Sequence, residues 1–214
     1  MGPAGYVTGI DISAPILARA RELALPGLPV ELVLADATVH AFEPARADLL
    51  FSRFGVMFFS DPALSFTNMR SALRPGGRVV FASWREPSKN PWMILPLQEA
   101  YKYVPRLPEV GPEDPGPFSF AREERVKRIL REAGFSSIAL DPIDLTLDLA
   151  AGLGLDGAVN GALALGPVSR ALEDQSPELR AAVAGSIRTA LASVQKGKTV
   201  PLGASVWIAS AVSP

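Results

Sequence analysis

Short apolar runs alternate with longer segments of helical periodicity over the first 85 residues of the chain. The runs predict buried strands, because each is bounded by polar or turn-forming residues. They lie at residues 6–10, 30–34, 47–51 and 78–83. After the first run a helix is predicted, with Ser13 as its N-cap, Pro15 in its first turn and an end near Leu25.

A second helix is predicted from Pro62 through Leu73. The spacing of Leu64, Met69 and Leu73 leads us to expect that they face inward. Residues 74–77 (Arg-Pro-Gly-Gly) are a strong turn signal and lead into the fourth strand. Strands that alternate with helices at this spacing predict a doubly wound α/β fold with mostly parallel strands.

The second half of the chain has a different pattern. Residues 88–120 are rich in proline and aromatic side chains, and a helix is predicted between Pro91 and Pro105. Further predicted elements are a helix at 121–133 with Val126, Ile129 and Leu130 facing inward, a strand at 137–147, alanine-rich helices at 156–173 and 177–195, and a final strand at 204–212. Without repeats or low-complexity tails, residues 1–214 are predicted to form one domain.

Composition excludes several kinds of site. Hydrophobic residues make up 48% of the 214 residues, and the net charge of −1 gives no reason to expect nucleic acid or an anionic membrane as partner. Cysteine is absent and His40 is the only histidine, which excludes disulfides, thiolate nucleophiles and metal sites built from several such ligands. The apolar stretch at 145–168 is interrupted by Asp148 and Asp156, so no membrane span is expected. We expect a cytoplasmic protein, since no secretory signal is found.

Polar residues directly follow three of the predicted strands. Asp11 follows the first strand and Asp36 the second, while Ser52 and Arg53 follow the third. In an open parallel sheet, ligands bind beyond the carboxyl ends of the strands. We therefore expect these side chains to line one ligand-binding edge.

Four segments resemble the class I S-adenosylmethionine-dependent methyltransferases, especially the branch of the ubiquinone and menaquinone biosynthesis C-methyltransferases. The segments are VTGIDIS at 7–13, ADA at 35–37, DLLFSRFGVMFF at 48–59 and LRPGGRVVF at 73–81. The resemblance implies a Rossmann-like sheet, mostly parallel, with an antiparallel C-terminal strand and a helical lid. It further implies a cofactor-binding half at residues 1–85 and lid helices on the substrate side at 86–120 and 148–203.

The resemblance also implies S-adenosylmethionine as cofactor. Asp11 would accept hydrogen bonds from both ribose hydroxyls, which suits an ionised carboxylate because it only accepts. Ile12 would pack on the adenine. Asp36 would accept a hydrogen bond from the adenine amino group, and Ala37 would offer its backbone N–H to a ring nitrogen.

At the third strand, the resemblance places Ser52 beside the methionine part of the cofactor, through its backbone carbonyl, with Arg53 in the same loop. Other interpretations stay open. Asp11 could only assist the following helix through its dipole, and Asp36 could be an ordinary loop acid. Arg53 could pair with a structural carboxylate, and Phe54 could belong to the core or to a pocket wall.

The first strand, the glycine-rich loop and the first helix of this family are not found in the sequence. Residues 1–5 resemble the connector that follows them. The family's first strand would lie between the strands at 6–10 and 47–51, and each buried backbone group left unpaired there would cost about 1–3 kcal/mol. These strands could close up on each other, another chain could fill the gap, or the sequence could be incomplete. We expect a late start or truncation, and easier self-association into a homo-oligomer.

The expected activity is methyl transfer to a small-molecule acceptor, with no catalytic residue assigned. Positioning supplies much of the catalysis in such an in-line displacement, and a base is needed only if the acceptor must lose a proton. Tyr101, Glu99 and His40 are hypotheses for that base. Residues 84–120 and the later alanine-rich helices would cover an apolar acceptor pocket, unless Trp92 and Tyr101 only pack the lid.

Two other functions stay open at this point. The chain could be a non-catalytic methyltransferase-like protein, or a partner subunit, that has lost or weakened cofactor binding. It could also be a nicotinamide dehydrogenase, whose second strand likewise ends in an acid that binds ribose. An antiparallel pair of strands at the C-terminus would favour the methyltransferase, and a fully parallel sheet would favour the dehydrogenase.

Overall fold

A computed structural model describes residues 5–24 and 27–214 of the chain. The first strand, β1 (Val7–Asp11), pairs in parallel with β2 (Val30–Leu34), and helix α1 (Ala14–Leu23) lies between them in sequence. These three elements, the β1–α1–β2 unit, follow the predicted order, with β1 displaced by one residue from the predicted run.

The start of α1 is capped as predicted. The Ser13 hydroxyl accepts a hydrogen bond from the Ile16 N–H at 3.4 Å. The expected helix end near Leu25 falls outside the described residues. Within the described part of the β1–α1–β2 unit, Leu17 alone has a buried side chain.

Strands β3 (Ala47–Arg53) and β4 (Leu73–Trp84) form a second parallel pair, with helix α2 (Pro62–Ser71) between them in sequence. Helix α2 begins after Asp61, whose carboxylate accepts the Leu64 N–H at 2.9 Å.

The prediction that Leu64 faces inward is wrong, since its side chain is 53% exposed. The inward side of α2 is instead set by Phe66, which is fully buried with its ring 5.3 Å from that of Phe81. Residues two positions apart lie on nearly opposite sides of a helix, so burial of Phe66 turns Leu64 outward. Met69, one turn after Phe66, packs against the same core, and Leu73 is buried as predicted.

The predicted turn at 74–77 is a bulge at the beginning of β4. Ala47 lies opposite Leu73, whereas Leu49 lies opposite Arg78, so the four intervening residues of β4 leave the register. Gly76 adopts a φ of +78°, which favours glycine. The irregular backbone predicted at 74–77 is present, but it is a bulge within β4 and not a turn before the strand.

Strands β5 (Ser136–Asp148) and β6 (Pro201–Val212) are antiparallel to each other, and β6 is also antiparallel to β4. The four-stranded sheet has the order β3-β4-β6-β5, while β1 and β2 form a separate two-stranded sheet. The predicted antiparallel C-terminal strand is thus confirmed, and both β1–β2 and β3–β4 are parallel, as the α/β prediction requires.

The remaining helices follow β4 and β5 in the chain. They are α3 (Pro91–Ala100), α4 (Glu123–Glu132), α5 (Gly154–Ala164), α6 (Gly166–Ala171) and α7 (Pro177–Ala192). The single helix predicted at 156–173 is wrong: it breaks at Leu165, which is extended, and Gly166 has a φ of +52°. Within the described ranges, no helix is both long enough and apolar enough to cross a membrane.

Two clusters of buried side chains form the core. The first lies between the four-stranded sheet and helices α2 and α4, and contains Phe66, Phe81 and Phe120. The inward positions predicted for α4 are confirmed here, because Val126, Ile129 and Leu130 are all buried. The second cluster consists mainly of side chains from α3, α5, α6 and α7. These four helices therefore form a packed layer of their own.

Each of the two sheets has a strand that is paired on one side only and that would neighbour the family's first strand. In the described part of the chain, β1 pairs with β2 alone and β3 with β4 alone. Phe51 on β3 is 71% exposed. Of the three alternatives for the family's first strand, closure of β1 onto β3 is therefore not what the structure shows. The absence of an upstream strand stays a prediction.

Candidate functional site

Asp11 ends β1 and organises the turn into α1. Its Oδ1 accepts the Ser13 N–H at 2.7 Å, which places the capping residue of the helix. Its Oδ2 makes no hydrogen bond to any described residue. One carboxylate oxygen of Asp11 thus orders the start of α1, while the other is available to accept from a ligand. The role of Asp11 towards a cofactor stays a prediction.

Asp36 lies beside Asp11 at the ends of two paired strands. The Ala35 N–H donates to the Asp11 backbone carbonyl at 3.1 Å, so the chain leaving β2 stays joined to the end of β1. Asp36 Oδ1 accepts the Thr38 N–H at 2.8 Å in a local turn. Ile12, which follows Asp11 in the chain, is 74% exposed. The structure thus brings these predicted residues to one edge, as expected from parallel pairing.

The loop after β2 is held by helix α2. Asn68 donates its side-chain amide to the carbonyls of Ala37 and His40, both at 2.9 Å. The hydroxyls of Thr38 and Ser65 lie 2.9 Å apart. These contacts join the loop containing Ala37 to the second parallel pair. Sequence reasoning missed Asn68, because a polar residue within a helix gives no signal of the loop that it contacts.

Ser52 and Arg53 end β3, and the next residue has an unusual backbone. Phe54 has a φ of +63°, and its N–H donates to the Ala82 carbonyl on β4 at 3.0 Å. At Gly55, a Cβ would lie 3.2 Å from the Ser52 hydroxyl, so the loop turns tightly over Ser52. Arg53 is exposed and forms no ion pair with any described residue, which does not support a structural role in a salt bridge.

Three aromatic rings continue from this loop towards the helical layer. The rings of Phe54 and Trp84 are stacked at 4.1 Å, and those of Trp84 and Trp92 lie 4.9 Å apart at 49°. Trp92 donates its indole N–H to Asn90 at 3.3 Å. This stack is consistent with the prediction that Phe54 belongs to the core or to a pocket wall. The stacking of Trp84 on Phe54 was not predicted, because it depends on the register of two strands.

Asn90 is fully buried and fastens the segment before α3 to β6. Its amide donates to the carbonyls of Arg85, Glu86 and Ser205, each at 3.2 Å, and its carbonyl accepts the Ser205 N–H at 2.9 Å. The position of α3, and with it that of Trp92, therefore depends on one buried amide.

A cavity of about 110 Å³ lies between α3 and the α5–α6 break. Its walls include Trp92, Met93 and Pro96 from α3, and Ala162, Leu165 and Val168 from the later helices. The cavity lies between the two parts of the chain that are predicted to cover an acceptor pocket, and its walls are apolar. That it receives an acceptor stays a prediction.

The three hypothetical bases are scattered. His40 lies in the loop after β2, where its ring packs edge-on against Phe42 at 4.8 Å. Glu99 on α3 is bound by the Lys102 ammonium at 2.6 Å and by the Ser186 hydroxyl at 2.5 Å, and these two groups lower its pKa. Tyr101 at the end of α3 lies 5.5 Å from the Arg106 guanidinium. None of these contacts joins a hypothetical base to Asp11, Asp36 or Ser52. All three bases therefore stay hypotheses.

Comparison with known proteins shows that this chain is similar to methyltransferases. Residues 1–81 match the family model described as a methyltransferase domain. Across the whole chain, a solved putative methyltransferase from Bacillus halodurans superimposes with a TM-score of 0.57 at 17% identity, covering 98% of this chain and 84% of that one. Residues 1–81 are therefore similar to the class I S-adenosylmethionine-dependent methyltransferases, and the chain shares their fold.

Curated proteins similar to this chain include a demethylmenaquinone methyltransferase from Staphylococcus aureus, strain JH9, which is 27% identical over 155 residues. The match covers 64% of this chain and 61% of the relative, so it spans less than two thirds of the relative's length. The resemblance to methyltransferases seen in the sequence is confirmed.

A phosphoethanolamine N-methyltransferase from Haemonchus contortus, solved with phosphomonomethylethanolamine and S-adenosylhomocysteine, has the same class I methyltransferase fold. Its TM-score is 0.51 at 16% identity, covering 97% of this chain and 43% of that one. Within the present chain, the antiparallel β5–β6 pair also favours the methyltransferase over the nicotinamide dehydrogenase. The described residues contain no group of three or more acidic or histidine side chains that could hold a metal.

Proposed function

We propose that this chain transfers a methyl group from S-adenosylmethionine to a small-molecule acceptor. The observation that carries the proposal is the joining of Asp11 and Asp36 at one sheet edge, through the 3.1 Å bond from the Ala35 N–H to the Asp11 carbonyl. Two carboxylates with an exposed apolar side chain beside them suit a ligand that has both hydroxyl or amino groups and a flat apolar ring.

The adenosine part of the cofactor fits these residues. Asp11 Oδ2, which makes no bond to a described residue, would accept from the ribose hydroxyls. Ile12 is 74% exposed and would cover one face of the adenine, which offsets the cost of leaving that side chain in water. Asp36 would accept from the adenine amino group, and the backbone N–H of Ala37 would donate to a ring nitrogen.

The methionine part would lie by Ser52 and Arg53. The loop there is held by the stack of Phe54 on Trp84 and by the bond from the Phe54 N–H to Ala82, so its backbone carbonyls have fixed directions. A carbonyl of Ser52 would accept from the ammonium group, and Arg53 would face the carboxylate end as a cation.

When bound, S-adenosylmethionine supplies a methyl group on a positively charged sulfur that is reactive towards nucleophiles. The chain's own contribution is to hold the acceptor in line and to exclude water, which can supply several kcal/mol of the barrier reduction, roughly 7–11 in well-oriented systems. The helical layer of α3, α5, α6 and α7 would provide that cover. No base is required for an acceptor that is already a nucleophile.

Calorimetric titration with S-adenosylhomocysteine tests the cofactor site. Asp11→Asn keeps an oxygen for the Ser13 N–H but removes the charge, so we expect affinity to fall about tenfold or more, since a hydrogen bond to a charged group contributes roughly 1.5–3 kcal/mol. Asp141→Asn, an exposed change on β5 whose side chain makes no hydrogen bond to a described residue, is the matched control. Equal loss in both variants would count against the assignment of Asp11.

The second candidate is a methyltransferase-like protein without cofactor binding. It is favoured by one observation, that β1 and β3 are each paired on one side only in the described chain. The same titration separates the two functions. If the wild-type chain, alone and with any partner with which it copurifies, takes up no S-adenosylhomocysteine, then the enzyme proposal is wrong and the second candidate stands.

A further inference from the structure

The cavity between α3 and the α5–α6 break has walls of one chemical kind. No side chain that lines it is ionisable, and the indole of Trp92 has its N–H engaged by Asn90. An ionised group placed in such a cavity would lose its hydration without gaining a partner, at a cost of several kcal/mol. The walls therefore select a neutral, apolar group.

The size of the cavity limits the group further. Its volume is about 110 Å³. An apolar protein cavity of roughly 150 Å³ stays dry and binds benzene, so a somewhat smaller one accommodates a single small ring or a short branched alkyl group. Complete small-molecule ligands occupy about 300–1,000 Å³, which means that this cavity would take one end of a molecule rather than all of it.

The break between α5 and α6 creates one wall of the cavity. Leu165, Gly166, Pro167 and Val168 line it, and they are the residues at which the helix predicted through 156–173 is interrupted. Leu165 is 52% exposed, so the wall that it forms reaches the protein surface. The side of the cavity next to Leu165 is therefore where we expect a ligand to enter.

The position of Trp92 relates this cavity to the strand ends. Trp92 lines the cavity on one side and contacts Trp84 on the other, and Trp84 is stacked on Phe54, next to Arg53. One continuous series of rings thus runs from the loop after β3 to the cavity wall. A molecule with one end in the cavity would extend along these rings towards the loop.

We propose that the cavity binds the uncharged apolar end of the methyl acceptor, a ring-sized or branched-alkyl group, with Trp92 as the wall nearest the reacting end. The identification of this ligand as a methyl acceptor rests on the proposed function. Binding of an apolar group in the cavity does not depend on the cofactor. The acceptor is thereby assigned to the apolar small molecules, as opposed to those whose buried end is a phosphate, carboxylate or amine.

Methionine methyl groups give a direct readout of binding. Met93 lines the cavity, whereas Met57 and Met69 lie in or against the other core cluster, so carbon-13 methyl labelling provides one reporter and two internal controls. Toluene and benzoate are the probes, because they share a ring and differ by a charge. We expect toluene at neutral pH to shift the Met93 signal in a saturable manner and benzoate to leave it unmoved at the same concentrations, a difference of at least about tenfold in affinity.

Two variants locate the binding. Ala162→Leu fills the cavity from α5, and Leu165→Trp narrows it from a half-exposed position where a larger side chain is tolerated even if the first variant folds poorly. Ala181→Leu on the exposed side of α7 is the control. We expect both cavity variants to lose at least about tenfold in toluene affinity and the control to lose none.

Three results would overturn the proposal: no saturable shift of Met93 with toluene, equal binding of benzoate, or toluene binding that survives in both cavity variants. A titration with S-adenosylhomocysteine on the same samples keeps this outcome separate from that of the proposed function. Cofactor binding without toluene binding refutes the cavity assignment alone, whereas toluene binding without cofactor binding supports the cavity and refutes the methyl transfer.

Discussion

The rings of Phe54 and Trp84 lie face to face, with centroids 4.1 Å apart and planes inclined by 6°. Phe54 holds this position with a φ of +63°, a conformation that costs a residue with a Cβ roughly 1–2 kcal/mol. The stack and the bond from the Phe54 N–H to Ala82 together offset that cost. One of the strained backbone positions of the chain therefore lies directly after the predicted cofactor contacts, Ser52 and Arg53.

Replacing Phe54 by glycine and by alanine separates the strain from the stack. Both variants lose the ring, but glycine adopts a positive φ without penalty. We expect Phe54→Gly to be more stable than Phe54→Ala by about 1 kcal/mol, although glycine elsewhere is the less stabilising residue. Urea unfolding of the two variants measures this difference. An alanine variant that is equal to or more stable than the glycine variant would show that the left-handed backbone is not strained.

Asn90 is expected to be among the most sensitive polar residues of the fold. Asn90→Asp keeps the shape but removes the donor to the carbonyls of Arg85, Glu86 and Ser205 and buries a charge, so we expect a loss of about 3 kcal/mol or more in the free energy of unfolding. Asn160→Ala, on an exposed position of α5, should change stability by less than about 0.5 kcal/mol. Chemical denaturation of the two proteins makes the comparison, and a near-equal effect would contradict the role of Asn90.

Asp148 is expected to make the stability of the fold depend on pH in the acid range. Its carboxylate accepts backbone N–H groups from Val200, Gly152 and Ala150, and these bonds, that from Val200 above all, lower its pKa. A group whose pKa is lower in the folded state stabilises the protein above its ordinary titration range, near pH 4, and loses that contribution as the pH falls through the lowered value.

Asp148→Asn should therefore lower stability at neutral pH and flatten the decrease in stability towards acid. Melting temperatures measured from neutral to about pH 3 follow both effects. Asp141→Asn, an exposed change on the same strand, should leave the curve unchanged. Parallel curves for wild type and Asp148→Asn would mean that the carboxylate makes no pH-dependent contribution.

Two glycines should respond to alanine in opposite directions. Gly185 lies within α7, and a Cβ there would meet no atom within 4 Å, so Gly185→Ala should stabilise the chain by about 0.5–1 kcal/mol through helix propensity. At Gly77, a Cβ would lie 2.8 Å from the Arg74 carbonyl, and the backbone would have to shift. We expect Gly77→Ala to destabilise by about 1–3 kcal/mol, measured by thermal unfolding. Stabilisation by both changes would be incompatible with the tight bulge in β4.

Local signals account for the parts of the fold that the sequence predicted. The cap of α1, the start of α2 at Pro62 and the apolar face of α4 depend on residues within one or two turns of each other, so their pattern is visible in the chain. The wrong inward position of Leu64 shows the limit, since helical spacing gives a repeat but the burial of Phe66 decides the rotation. The break at Gly166-Pro167 has a local signal, because glycine and proline both interrupt helices. The alanine-rich pattern around it nevertheless predicts one continuous helix.

Contacts between distant residues account for what could not be predicted. That Asp11, Asp36, Ser52 and Arg53 follow strand ends was readable, because strand ends are local features. The stack of Phe54 on Trp84 depends on the register of β3 against β4, and the bonds of Asn68 depend on how α2 meets the loop after β2. Neither leaves a periodic trace in one sequence, so the supports of the site emerge only in three dimensions.

Leu17 is the single buried side chain in the described part of the β1–α1–β2 unit, and this has a consequence for the unit's dynamics. Few buried apolar contacts mean a low free energy of local opening, so amide hydrogens of β1 and α1 should exchange with solvent well before those of β4 and β6. A ligand held by Asp11 and Asp36 would slow that exchange. Uptake of such a ligand would then be inseparable from closing this sparsely packed unit.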